Sequence, residues 1–140
     1  MSNVAHLTLQ TVEKGLRLRW QAAGGTEGVL DTGPGRVAPS PVEALLGALG
    51  GCEGMDVIDI LRKKRQKVTA YEVFVTGERR EEHPRRFTKI EVLHRVTGHE
   101  LSGTAIEGAI RLSTTKYCSV HASMHPEIEI TSRYEIVAAP

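Results

Sequence analysis

The segment Ser40-Pro41-Val42-Glu43-Ala44-Leu45-Leu46-Gly47-Ala48-Leu49-Gly50-Gly51-Cys52 constrains the fold more than any other stretch of the chain. Ser40 suits a helix cap, Pro41 suits the first helical position, and Glu43 completes a Ser-x-x-Glu capping box. A long helix is therefore expected from about Pro41 to about Arg65. Apolar residues at 42, 45, 46, 49, 52, 55, 57, 58 and 61 run most of the way round it. A helix of that kind must be covered on several sides. One small sheet covers one side, so a second helix or a partner subunit is implied. Gly47, Gly50, Gly51 and Gly54 add to the constraint. Each interior glycine costs about 1 kcal/mol relative to alanine, which makes sense if another backbone passes close to Cys52, or if the helix bends there.

Alternation places strands on either side of this helix. Ala5, Leu7 and Leu9 share one face. After a Lys14-Gly15 turn, Leu16, Leu18 and Trp20 share another, with Arg17 and Arg19 pointing the opposite way. Val29-Leu30-Asp31 reads as a short third strand. Val68 to Gly77 and Phe87 to Thr97 alternate likewise, joined by the charged stretch Glu78–Arg86, read as a solvated loop. Ile90, Val92, His94 and Val96 share a face. A second helix is expected from Leu101 to about Lys116, with Leu101, Ala105, Ala109 and Leu112 near one face, then a short helix from Cys118 or Ser119 that stops before Pro126. A last strand carries Ile128, Ile130, Tyr134 and Ile136. This order describes one α+β domain over residues 1–140: N-terminal strands in 1–32, the central helix at about 41–65, and a strand and helix half in 68–138.

Composition removes several classes of function. Two cysteines are too few for a disulfide framework, and Met1-Ser2-Asn3-Val4-Ala5-His6 lacks the basic-then-apolar pattern of a secretory leader. No stretch approaches the roughly 20 apolar residues of a membrane span, so a cytoplasmic protein without a membrane partner is expected. A net charge of +1 and 4% aromatic residues offer neither the basic face nor the stacking side chains of a nucleic-acid binder. The one basic run, Arg62-Lys63-Lys64-Arg65, falls where the long helix ends and complements its dipole.

The two cysteines, 66 positions apart, carry the chemistry if the fold unites them. Alone, a cysteine in an apolar run such as Cys52 is most simply core. Asp56 and Asp59 lie four and seven positions on, roughly on its face. Buried carboxylates there raise a thiol pKa, so a reactive Cys52 needs a cation from elsewhere, Arg17 or Arg19. Cys118, at the start of a short helix, has N–H groups and a dipole that favour its thiolate, and on that ground alone it is the expected nucleophile. Cys118, His121 and His125, with Cys52 as a fourth donor, also make a conceivable zinc set. Glu43 sits nine residues before Cys52, nearly opposite it on a helix. It reaches a Cys52 site only from a frayed first turn or from another subunit.

Ala38 to Cys52, with Lys116-Tyr117-Cys118-Ser119-Val120 downstream, resembles the cysteine-bearing segments of the OsmC/Ohr superfamily. Asp56-Val57-Ile58, Arg79-Arg80-Glu81-Glu82 and Phe87-Thr88 resemble an OsmC-like subgroup apart from the organic hydroperoxide reductases proper. The resemblance implies antiparallel sheets around a long central helix in an intertwined homodimer, with active sites at the interface. It also implies a thiol peroxidase without metal or organic cofactor. Cys52 would attack an organic hydroperoxide, Cys118 would resolve the resulting sulfenic acid, and an external dithiol or a lipoyl-bearing protein would restore both thiols. Arg17 and Glu43 are the nearest counterparts of the family's activating arginine and glutamate, although Val42 stands directly after Pro41 and Glu43 one place late. The same fold without turnover would be a redox sensor or a small-molecule-binding protein.

Overall fold

A computed structural model describes residues 1–10 and 15–140. The expected turn at Lys14-Gly15 begins outside that range. The chain divides into two compact units, Met1–Leu45 and Leu46–Pro140. In the first, β1 (Ala5–Gln10), β2 (Leu16–Ala22) and β3 (Glu27–Thr32) form an antiparallel sheet in that order. Leu7 pairs with Trp20 and Leu9 with Leu18, so the apolar residues of both strands share one face. Leu7, Leu9, Leu16 and Trp20 are nevertheless exposed in the isolated chain.

Helix α1 (Pro41–Lys63) begins with the expected capping box. The Ser40 N–H donates to Glu43 Oε1 at 3.0 Å, and the Glu43 N–H donates to Ser40 Oγ at 3.2 Å. At the other end Arg65 takes a left-handed φ of 56°. The Gln66 N–H reaches the Leu61 carbonyl and the Arg65 N–H reaches that of Arg62, a Schellman closure. The helix therefore stops two residues before the expected end.

In the second unit β4 (Lys67–Arg79) and β5 (Phe87–His99) are antiparallel, and β5 lies between β4 and β6 (Glu129–Ala138). The pairing of β5 with β6 is parallel, which corrects the expectation of purely antiparallel sheets. The reason is the connection. Helix α2 (Gly103–Leu112), a π-helical turn (Ser113–Tyr117) and α3 (Ser119–Ser123) carry the chain back across, as parallel strands require. Ile90, Val92, His94 and Val96 are all fully buried on one face of β5, as their alternation predicts. Val57 and Leu61 of α1 pack with Val96, Ile106, Ala109 and Ile110. Each valine, leucine or isoleucine among them contributes roughly 1.5–3 kcal/mol if fully buried. Leu112, expected on the inner face of α2, is exposed, and Ile106 and Ile110 take that role.

The glycines of α1 divide into two pairs. A Cβ at Gly50 would lie 2.6 Å from Val75 Cγ2, and one at Gly54 would lie 3.0 Å from Val73 Cγ2. These two let strand β4 approach the helix. A Cβ at Gly47 or Gly51 would meet nothing within 4 Å. Within the chain, the close neighbour of Gly50 and Gly54 is thus strand β4. Gly50→Ala should destabilise the fold by about 1–3 kcal/mol, because the β-branched Val75 is stiff and cannot yield cheaply. Gly51→Ala should leave chain stability unchanged or raise it by up to about 1 kcal/mol. Chemical denaturation of the two variants side by side tests this.

Candidate active site

The fold brings the two cysteines together. Cys52 Sγ, Cys118 Sγ and a carboxylate oxygen of Asp56 all lie within 4.8 Å of one another, and both thiols are free. Cys52 is half-buried on α1, and Cys118 is 4% exposed. Asp56 follows Cys52 by one helical turn. Its Oδ2 accepts a hydrogen bond from Ser113 Oγ at 2.8 Å.

The π-helical turn aligns this cluster. An α-helix running to Lys116 was expected, but the Thr114 and Thr115 hydroxyls both donate to the Arg111 carbonyl, at 3.3 and 2.6 Å. Side-chain hydroxyls that bond back into a helix loosen it locally. The Cys118 N–H then closes on the Ser113 carbonyl at 2.8 Å. Ser113 thus holds Cys118 through its backbone and Asp56 through its side chain.

Cys118 is the N-cap of α3, and its Sγ accepts from the His121 N–H at 3.3 Å. Helix position favours the thiolate, but burial outweighs it. Burial, the hydrogen bond and charge shared with Cys52, and the charge of Glu53 together push the Cys118 thiol up to about 11, against the His121 N–H. Burial therefore works against the thiolate that helix position alone favours at Cys118.

Glu53, next to Cys52, is fully buried, as is His94. Glu53 Oε1 meets His94 Nε2 at 3.0 Å, and His94 Nδ1 meets Tyr71 Oη at 2.6 Å. Burial, with the charge of Glu53, raises the Tyr71 pKa, so the phenol keeps its proton. His94 thus bridges the phenol and the Glu53 carboxyl through its two ring nitrogens. Glu53 Oε2 has no partner among the described residues. This chain was missed in the sequence, although one acidic residue between Cys52 and Gly54 in an apolar run was a signal of it.

Arg17 is held by Asp31, Nε to Oδ2 at 3.0 Å, and Arg19 lies 3.6 Å from Glu27. Glu43 forms a forked ion pair with Arg36, a residue the sequence reading did not single out. Arg36 and then the Ser40 N–H and hydroxyl lower the Glu43 carboxyl to about 2. The zinc set Cys118, His121 and His125 is not gathered. Helix α3 ends at Ser123, and His125 Nδ1 accepts the Glu127 N–H instead. Among the described residues the one trio of possible metal donors is Cys52, Asp56 and Cys118, one short of a structural zinc shell.

Three of the cavities in the second unit are large enough to matter here. The largest, about 610 Å³, is lined by Arg111, His121 and Arg133 among others, and by neither cysteine. One of about 510 Å³ opens beside Asp56, Lys63, Lys64 and Tyr117. An apolar groove of about 330 Å³ runs along Gly47, Gly51, Met55 and Ile58 of α1, with Val73 and Val75 of β4. Met55 in this groove is 74% exposed.

The sequence pattern of the family described as OsmC-like protein matches residues 33–133. With the α+β fold and the paired thiols described above, the chain belongs to the OsmC-like family. Protein YhfA of Escherichia coli K12 is 45% identical over 126 residues, 90% of this chain and 94% of that protein. The crystal structure of a hypothetical protein from Aquifex aeolicus VF5 is 31% identical, with a TM-score of 0.85 over 100% of this chain and 99% of the other. The organic hydroperoxide resistance protein OhrB of Bacillus subtilis shares the fold, with a TM-score of 0.62 at 12% identity over 94% of this chain and 98% of that one. No helix among the described residues is long and apolar enough to cross a membrane.

The charge state of Cys118 is directly testable. With Cys52→Ser in place, iodoacetamide should label Cys118 with a pH midpoint well above the ordinary thiol value of about 8.5, and Glu53→Gln should lower that midpoint. A midpoint at the ordinary value would remove the assigned environment.

Proposed function

We propose that the protein is a thiol-dependent peroxidase that reduces organic hydroperoxides through Cys52 and Cys118, in defence against oxidative stress. The observation that carries this reading is the approach of two free thiols to within 4.8 Å from positions 66 residues apart. The Cys52 thiolate attacks the hydroperoxide, and with one proton taken up the products are an alcohol and a Cys52 sulfenic acid. The Cys118 thiol then displaces hydroxide from that sulfur, forming a disulfide and water. An external dithiol or lipoyl-bearing protein restores both thiols and is itself oxidised to a disulfide. No resident metal or organic cofactor takes part. A thiol held protonated suits the resolving role of Cys118 better than the attacking one.

The same reading makes the protein a cytoplasmic, intertwined homodimer. The exposed apolar residues of β1 and β2 and the groove beside Met55 are the surfaces a second copy would cover. Glu43 is fixed in a fully capped first turn, so it serves the thiol of a partner subunit, with Arg36 in the part expected of Arg17. A redox sensor of the same fold is the second reading. It is favoured by the carboxylates around the thiols, and steady-state turnover separates the two.

The deciding measurement is the free-thiol count, with mass spectrometry, before and after one equivalent of cumene hydroperoxide. Loss of both thiols in a Cys52–Cys118 link that a dithiol reverses is expected. Two untouched thiols would end the reading. Hydrogen peroxide should react more slowly than cumene hydroperoxide. Arg36→Met should lower the rate with cumene hydroperoxide by roughly 10–100-fold, the equivalent of one charged hydrogen bond of about 1.5–3 kcal/mol, and should cost more than Arg17→Met.

A further inference from the structure

We propose that Asp56 is the proton-transfer group of the dithiol centre. Its carboxylate takes the proton of the Cys118 thiol as Cys118 attacks the Cys52 sulfenic acid, and gives it to the departing hydroxide. This inference rests on the redox pairing of Cys52 with Cys118.

The placement supports it. An oxygen of Asp56 lies within 4.8 Å of both sulfurs, in direct contact or one water away, which is the reach of a general base. Ser113 is fully buried and points the carboxylate by donating to Oδ2. Its carbonyl meanwhile fixes the backbone of Cys118. Base and thiol are therefore held by the same residue. Glu53, the other nearby carboxylate, is fully buried and bonded to His94, so it acts on the thiols through its charge.

The chemistry requires such a group. Cys118 is buried and holds its proton, while the attack needs a thiolate and hydroxide is a poor leaving group. In the step the S–H bond of Cys118 breaks and the proton passes to Asp56. A sulfur–sulfur bond then forms as the S–O bond of Cys52 breaks, and hydroxide leaves with the proton from Asp56 as water. The Cys118 sulfur is oxidised and the Cys52 sulfur reduced, with no outside reagent. When a dithiol later opens the disulfide, the same carboxylate takes the proton of the attacking thiol and gives it to the leaving thiolate. The cavity of about 510 Å³ beside Asp56 opens this proton to solvent. The other charged and titratable groups there are Asp59, paired with Lys63, then Lys64, bonded to the Ala105 carbonyl, and Tyr117. On the thiol side stand Glu53 and the backbone N–H of His121.

Two reactions of the full-length chain test the inference in parallel. The first is disulfide closure after one equivalent of cumene hydroperoxide, with dimedone trapping any sulfenic acid. The second is reduction by dithiothreitol of the disulfide made with diamide. Both are followed from about pH 3 to about pH 10, across the ordinary carboxyl and thiol ranges. Asp56→Asn should slow both on the order of 10–100-fold, flatten their pH profiles and let the dimedone adduct of Cys52 accumulate. Ser113→Ala should slow both a few-fold, and Asp59→Asn should behave as the parent. Parental rates and pH profiles in Asp56→Asn would overturn the inference and leave the peroxidase reading standing. If Asp56→Asn does not fold, parental rates and pH profiles in Ser113→Ala overturn it. If cumene hydroperoxide leaves the parent untouched but dithiothreitol reduction still depends on Asp56, the inference survives and the peroxidase reading falls. If neither oxidant links Cys52 to Cys118, both fall.

Discussion

The close approach of α1 to β4 across Gly50 and Gly54 is the constraint on which the second unit depends. It sets how deep the helix sits and therefore which side chains enter the interior. Leu49, Glu53, Val57 and Leu61 turn inward and are buried, while Met55 turns out. Cys52 and Asp56 lie half-buried, one turn apart, where they meet the π-helical turn. With a larger residue at 50 the helix would ride outward, and the sulfurs would separate with it. A helix face given up to glycine is poor in intrinsic stability, and here it fixes the positions of Cys52 and Asp56.

The electrostatics of the pair are as telling as its geometry. Negative groups stand beside both thiols, and the nearest arginines of the sequence reading are tied to carboxylates in the N-terminal strands. Glu53 brings into the interior an oxygen with no partner among the described residues, a costly arrangement without a compensating use. Its cost is partly met by the Tyr71–His94 chain, which hydrogen-bonds the other oxygen. The outcome is an asymmetric pair: one thiol half-exposed on a long helix, the other buried and reluctant to ionise.

Much of this was legible in the chain. The capping box at Ser40 and Glu43, the inward face of β5 and the element order all follow from local patterns of two or four residues. The parallel return of β6 does not, because strand direction is set by the crossover and not by alternation. The π-helical turn was hidden because Thr114 and Thr115 disturb the helix through hydroxyl geometry rather than through periodicity. Asp56 was visible at one turn from Cys52, but Ser113, which orients it, stands 57 positions away. Arg36 has no sequence signal of its own, because the capping box already accounts for Glu43.

The crossover between β5 and β6 has a consequence for the order in which the molecule is made. Cys52 leaves the ribosome well before Cys118, and the two sulfurs meet only after α2, the π-helical turn and α3 have settled against α1. Such a long-range closure comes late, since loop entropy must be met before its contacts form. A nascent chain therefore carries Cys52 as an ordinary solitary thiol. The two sulfurs come within reach of each other only once the segment from α2 to α3 has folded, so their proximity marks a late step of folding.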